Sequence, residues 1–224
     1  MAPDYRAAAT VVLMTDTPTD PLLVLLIQRP RHFRAFAGQW VFPGGAVDST
    51  DTDPRWIEGQ TKSVAGWEKR ARLAAARAGA LDARDYFHRM GVPYPEPWED
   101  WRPPDRRPLW PYAVAAGRET QEEVGLTILP TSPPLTGKHL DSLAYLGRLF
   151  PPPTAPQRFD TRFFLVRVPT VRTPHKSSET ADFRWISPSK ALAGDMALSQ
   201  PTQYVLIRLN WYETADAVWQ AFAP

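Results

Sequence analysis

Arg118-Glu119-Thr120-Gln121-Glu122-Glu123-Val124-Gly125-Leu126 is the stretch on which the reading of this chain turns. Pro111 suits a first helical turn and Gly125 suits the position just past a last one, so a helix is expected between them. On a helix, Glu119, Glu122 and Glu123 stand at i, i+3 and i+4 and share one face. Two such charges ~4 Å apart repel by about 4 kcal/mol at an effective dielectric of ~20, before screening. A fold carries this cluster if water splays it or if a cation sits in it. The first case is an ordinary solvated acidic face. In the second, an all-oxygen donor set favours Mg2+ or Mn2+ over zinc.

Outward from that helix, the chain alternates strand and helix signals. Upstream, Ala8–Thr15 and Leu22–Gln28 are apolar on both faces, as buried central strands are, with a proline-rich turn between them. Extended character returns at Trp40-Val41-Phe42 and is expected to stop at Pro43-Gly44-Gly45, where a glycine pair permits a sharp turn or a close backbone approach. Lys62–Arg89 is rich in Ala, Arg and Leu and predicts one or two helices. Prolines at 93, 95, 97, 103, 104, 108 and 111 then exclude regular structure for most of that stretch. Residues 52–110 read as an insertion that packs on the body, because Trp56, Trp67, Trp98, Trp101 and Trp110 need a surface to bury against. Downstream come strands near Leu143–Leu149, Arg162–Val168 and Phe183–Ile186, a short helix capped by Ser187-Pro188, and one final helix over Thr202–Ala221. The pattern predicts a single α/β (α+β) domain over residues 1–224, a sandwich around a mixed sheet.

Composition narrows the function classes. With 26 basic and 24 acidic residues the formal charge is +2, too small for a dedicated nucleic-acid binder. The ten basic residues between Lys62 and Arg107 are interleaved with seven acids and read as a salt-bridged surface rather than an RNA-binding one. The chain has no cysteine, which removes disulfides, thiolate metal sites and a cysteine nucleophile. The longest apolar run, Leu22–Ile27, is far short of the ~20 residues of a membrane span. The N-terminal residues show no signal-peptide pattern, so a cytoplasmic location is the default expectation.

These residues together resemble the Nudix hydrolase signature, G-x5-E-x7-R-E-U-x-E-E-x-G-U with U bulky and apolar. Gly45 matches the opening glycine, and Arg118, Glu119, Glu122, Glu123, Gly125 and Leu126 match the second half. Asp51 stands where the first glutamate belongs, Thr120 replaces an apolar residue, and the spacer of seven has become 66 residues, Thr52 to Gly117. The split resembles the CoA and acyl-CoA diphosphatase branch, which carries a long insertion at this point. Phe42-Pro43-Gly44-Gly45 with Asp48 and Asp51, Arg158-Phe159-Asp160-Thr161-Arg162-Phe163-Phe164, and Glu179 with Trp185-Ile186-Ser187-Pro188 are similar to its flanking features.

The resemblance implies an α/β/α sandwich that hydrolyses the phosphoanhydride of a nucleoside diphosphate-linked small molecule with two or more Mg2+ or Mn2+ ions. It implies Glu119 and Glu123 as ligands, Glu122 as a further or water-mediated one, and the Gly44 or Gly45 carbonyl as a completing donor. Arg118 would orient the acids by pairing with Asp51 or a glutamate. The general base is either a glutamate of the helix or Glu179. Among Arg29, Arg31, Arg34, Arg158 and Arg162, which have the chemistry to grip phosphates, Arg29 and Arg158 abut the motif segments. CoA or acyl-CoA is the expected substrate, with nucleoside triphosphates (oxidised ones included) or sugar nucleotides as the alternative. A non-catalytic nucleotide-sensing module is the alternative of another class, and the state expected is monomer or homodimer.

Overall fold

The computed structural model describes residues 5–33, 35–93, 105, 107–155, 157–174 and 177–224. In chain order the strands are β1 (Arg6–Thr15), β2 (Leu23–Gln28), β3 (Trp40–Val41), β4 (Gly44–Ala46), β5 (Ala144–Leu149), β6 (Phe159–Arg167) and β7 (Asp182–Ile186). The helices are α1 (Thr61–Ala78), α2 (Ala83–Met90), α3 (Trp110–Val124), α4 (Gly137–Leu140), α5 (Pro188–Ala193), α6 (Gln200–Leu209) and α7 (Ala215–Phe222), with two 3-10 turns at Ser49–Thr52 and Pro54–Ile57. The fold is the expected mixed α/β arrangement around a mixed sheet.

The partners of β1 create the site. One edge pairs in parallel with β6 along nearly its whole length, from Arg6 against Phe159 to Met14 against Arg167. The other edge is shared. Met14 and Thr15 pair with β2, while Ala8, Ala9 and Thr10 pair with β4. Between them Val11 N–H donates to Pro43 C=O at 2.8 Å. Extended structure therefore does not stop at Pro43. The chain bends there and continues as β4, because Gly44 adopts a φ of +152° that lets its backbone lie on β1. A β-carbon on Gly44 would come within 2.3 Å of Ala9 O.

The described parts of the segment 52–110 dock on the sheet. Trp67 of α1 is fully buried and its Nε1 donates to Leu143 C=O at 3.2 Å. Leu81, between α1 and α2, bridges Gly147 at the bulge of β5. A β-carbon on Gly147 would meet Leu81 N at 2.4 Å, so glycine is what admits this contact. Glu68 of α1 accepts from Leu109 N–H and Trp110 N–H (2.7 and 3.0 Å). It thus satisfies the opening of α3, which has no cap of its own and takes Pro111 in its first turn. The predictions for Trp98, Trp101 and the prolines at 95, 97, 103 and 104 lie outside the described residues.

The single terminal helix expected over Thr202–Ala221 is two helices. α6 ends at Leu209, and Thr214 begins α7 by accepting from Ala217 N–H at 3.0 Å. Thr214 offers the backbone this alternative to a continuous ladder. The break turns Ala215, Val218 and Phe222 onto the core, where α7 packs on α1, β5 and β6.

Candidate active site

α3 ends in the left-handed Gly125 cap, as its sequence predicts, and delivers its acids against the bend at Pro43. Glu119 and Glu123, one turn apart, both lie against the glycine pair. Glu123 is 1% exposed, and its Oε2 accepts from Gly44 N–H at 2.8 Å. Its Oε1 lies 3.3 Å from Arg29 Nη1. Glu119 occupies the space beside Gly45, where an added β-carbon would meet Oε1 at 2.3 Å. Glu122 departs from the shared face. It is 57% exposed, as about 100° of rotation per residue carries it off the buried line that Glu123 occupies.

Arg118 ties the acids to the turn before α1. Its Nε and Nη2 grip Asp51 in a two-pronged pair (3.1 and 2.9 Å), and Nη2 also donates to Ala46 C=O. Its Nη1 donates to Glu119 and Glu122 (2.9 and 3.1 Å). Asp51 is buried and accepts from Asp48 N–H, closing the 3-10 turn. The fork of donors on a planar guanidinium suits it to this role, and the bond to Asp51 foremost raises its already high pKa. Thr120, where a bulky apolar residue was expected, is fully buried because its hydroxyl returns to Ala116 C=O at 2.7 Å.

Burial dominates the electrostatics. Desolvation, above all, pushes the Glu123 carboxyl up to about 8; Gly44 N–H and Arg29 pull down, while Glu119 and Glu179 push further up. Glu119 is also raised, again by burial first, against the pull of Arg118. A buried and a half-buried carboxylate sharing a cradle of backbone and glycine are costly as anions unless a cation compensates them. Among the described residues no three acidic or histidine side chains converge as placed, Arg118 being bonded to Glu119 and Glu122. The all-oxygen chemistry of Glu119 and Glu123 is nonetheless of the kind that a hard divalent ion takes, with the Glu119 carboxylate filling the space beside Gly45.

A cavity of about 770 Å³ opens from these acids. Glu119, Glu123, Glu179, Arg29, Gly44 and Gly45 all line it, so the structure brings together six of the residues marked in the sequence. The Glu179 loop is fastened to α3 by Thr180, whose hydroxyl donates to Glu123 C=O at 2.9 Å.

Two expectations change. Arg162 is fully buried and does not line the cavity; it pairs with Asp160 and Asp105 (both 2.5 Å) and lies over the Tyr112 ring. Its charge is spent holding residue 105 onto β6, so it is not available to phosphate. Arg158 is half-buried, is not among the lining residues, and donates to Pro153 C=O. Arg31 is exposed, and Arg34 lies outside the described residues. Sequence reasoning missed Arg6, Phe36, Tyr86 and Gln200, which also line the cavity. For Phe36 there was no local signal of its φ of +55°; the others are assembled only by sheet pairing and by docking of α2 and α6.

Comparison with known proteins bears on the fold. A family model described as NUDIX domain matches residues 112–206. A 49-residue stretch is 49% identical to proteins named "Uncharacterized Nudix hydrolase NudL" of Escherichia fergusonii and Escherichia coli, covering 22% of this chain and 24% of theirs. The chain thus matches about a quarter of the length of these curated relatives. Among solved structures, a NUDIX hydrolase from Alicyclobacillus acidocaldarius superposes with a TM-score of 0.63 at 24% identity, over 100% of this chain and 99% of that one. The NUDIX domain of Shewanella oneidensis NrtR, complexed with ADP ribose, gives 0.51 at 14% identity over 93% and 88%. Residues 112–206 thus resemble the NUDIX domain, and the chain shares the fold of these NUDIX structures.

Proposed function

We propose that the protein is a divalent-metal-dependent pyrophosphohydrolase that cleaves the phosphoanhydride of a nucleoside diphosphate-linked small molecule, with CoA or acyl-CoA as substrate. The observation that carries the proposal is the seating of Glu119 and Glu123 against Gly44 and Gly45, with Arg118 bridging to Asp51. Residues 67 to 79 positions apart in the chain meet there, which supports a Nudix signature split by an insertion at 52–110.

In this reading Glu119 and Glu123 hold the ions, Glu122 adds a ligand or a water-mediated contact, and a Gly44 or Gly45 carbonyl completes the set. When bound, the ions would supply positive charge to the diphosphate and acidity to an attacking water. The rest falls to the chain's own groups. Arg118 holds the acids in register. Arg29 lines the cavity with a buried Nε that has no partner among the described residues, and so offers an N–H to a phosphate oxygen. Glu179, exposed at the cavity and close enough for its charge to be felt at Glu119 and Glu123, would in this reading accept a proton from water, the alternative base being a glutamate of α3.

The CoA assignment rests on the cavity's two characters. Its acidic end also carries Arg29, while Phe42, Phe150, Phe159, Phe163, Leu149 and Pro151 make much of the remainder apolar. A long substrate with a charged diphosphate and a less polar arm suits such a cavity. The test is a panel of CoA, acetyl-CoA, nucleoside triphosphates and sugar nucleotides with Mg2+ or Mn2+. Release of 3′,5′-ADP and a phosphopantetheine from CoA, lost in chelator, is expected. No turnover of any member would overturn the proposal, and turnover confined to triphosphates would overturn its CoA part.

A further inference from the structure

The segment 52–110 does more than pack on the sheet: through α2 it supplies a wall of the cavity. Asp85 of α2 interlocks with α6, since Tyr204 O–H donates to its Oδ2 at 2.6 Å, and Arg89 of the same helix steadies it by donating Nε to Oδ1 at 2.8 Å. Arg208 Nη1 approaches Asp85 Oδ2 at 3.4 Å. This clamp fixes the next residue, Tyr86, whose ring meets Tyr204 edge-on at 5.5 Å and Phe87 at 5.4 Å. Tyr86 is buried at 6% exposure, yet it lines the cavity, and its hydroxyl donates to Gln200 Oε1 at 3.4 Å. Gln200, the first residue of α6, is exposed and lines the same cavity; its amide nitrogen donates to no described residue.

A carboxamide with a free N–H and a long, weak bond at its oxygen, beside a phenol on a rigid ring, is an unused donor–acceptor pair. The two belong to elements far apart in sequence and face the cavity that holds Glu119 and Glu123. We infer that Tyr86 and Gln200 form a specificity determinant that reads a planar N–H/C=O-type edge on the part of the substrate distal to the scissile bond. This rests on the proposed hydrolase reading and deepens it. The chemistry is that of an amide or of a nucleobase edge, and a CoA-like substrate carries both. Neither residue touches the acids, so their effect falls on binding and not on the chemical step.

The experiment uses the full chain as wild type, Gln200→Ala and Tyr86→Phe, each checked for an unchanged melting temperature. Gln200 is exposed and Tyr86→Phe keeps the ring, so both variants are expected to fold. KM and kcat are measured for CoA, and ADP-ribose serves as substrate or competitive inhibitor. Loss of one such hydrogen bond raises KM for CoA about three- to tenfold in Gln200→Ala and about two- to threefold in Tyr86→Phe, with kcat unchanged. The same change with ADP-ribose assigns the edge to the base; a change confined to CoA assigns it to the amide arm. Unchanged constants in both variants, with wild type turning CoA over, overturn the inference while the hydrolase reading stands. Calorimetric titration with CoA supplies a readout free of turnover: weaker binding by Gln200→Ala supports the subsite even if no hydrolysis is seen, and equal binding overturns it.

Discussion

The carboxylate of Glu119 stands where a β-carbon on Gly45 would have to be, 2.3 Å from Oε1 at its nearest. The neighbouring Gly44 is crowded by backbone instead, with Ala9 O at 2.3 Å and a φ of +152°. The two glycines therefore serve different ends, and they are expected to fail differently.

Gly45→Ala meets only the far end of a flexible side chain, so Glu119 swings aside and the fold persists. Turnover is expected to fall about a hundredfold or more, with stability within about 1 kcal/mol of wild type. Gly44→Ala strains backbone against backbone and is expected to cost about 3 kcal/mol or more. Denaturant titrations beside a metal-dependent assay separate the two; equal loss of stability in both variants would contradict the assignment.

Replacing Arg118 by Lys keeps the charge but cannot reproduce the fork. Asp51 is buried and would lose its two-pronged partner. The expected cost is about 1–3 kcal/mol, with a loss of turnover that added metal does not restore. A melting temperature equal to wild type would show that the bridge contributes nothing.

Glu123→Gln keeps an acceptor for Gly44 N–H and should fold, but with nearly all divalent-dependent turnover gone. The same variant tests a pH effect. The native carboxyl sits at about 8 against an ordinary 4.5, so between these values the native state binds more protons than the unfolded chain. Stability from this group is therefore full below the lower value and is lost as pH rises toward the upper one. In chelator, wild type should lose melting temperature across that window, while Glu123→Gln should lose less. Parallel curves would sink the argument.

Gly147→Ala would drive a β-carbon into the Leu81 backbone at a φ of +141°. We expect a cost of about 2–3 kcal/mol and faster proteolysis within 52–110, because Leu81 can no longer bridge β5. Deleting residues 52–110 outright should expose the apolar surface that Trp67 now covers, and dye binding or aggregation would report it. A soluble monomeric deletion protein would mean that the segment is dispensable packing.

Much of the framework was legible in the sequence because its causes are local. Apolar runs marked β1 and β2, and Pro111 with Gly125 bounded α3 within a residue. The spacing of Glu119 and Glu123 put them one turn apart. The terminal helix was read as continuous, since capping by Thr214 competes only weakly with helix propensity until α7 finds its seat on α1.

Burial, by contrast, was a tertiary decision. Nothing in the sequence separates Glu122, which faces water, from Glu123, which does not, nor shows that Arg162 is locked against the Tyr112 ring while Arg29 lines the cavity. Tyr86 reaches the cavity only because the Asp85 clamp seats α2 on α6. Periodicity and capping are properties of neighbours in the chain; desolvation and convergence belong to residues that meet only when the sheet has formed.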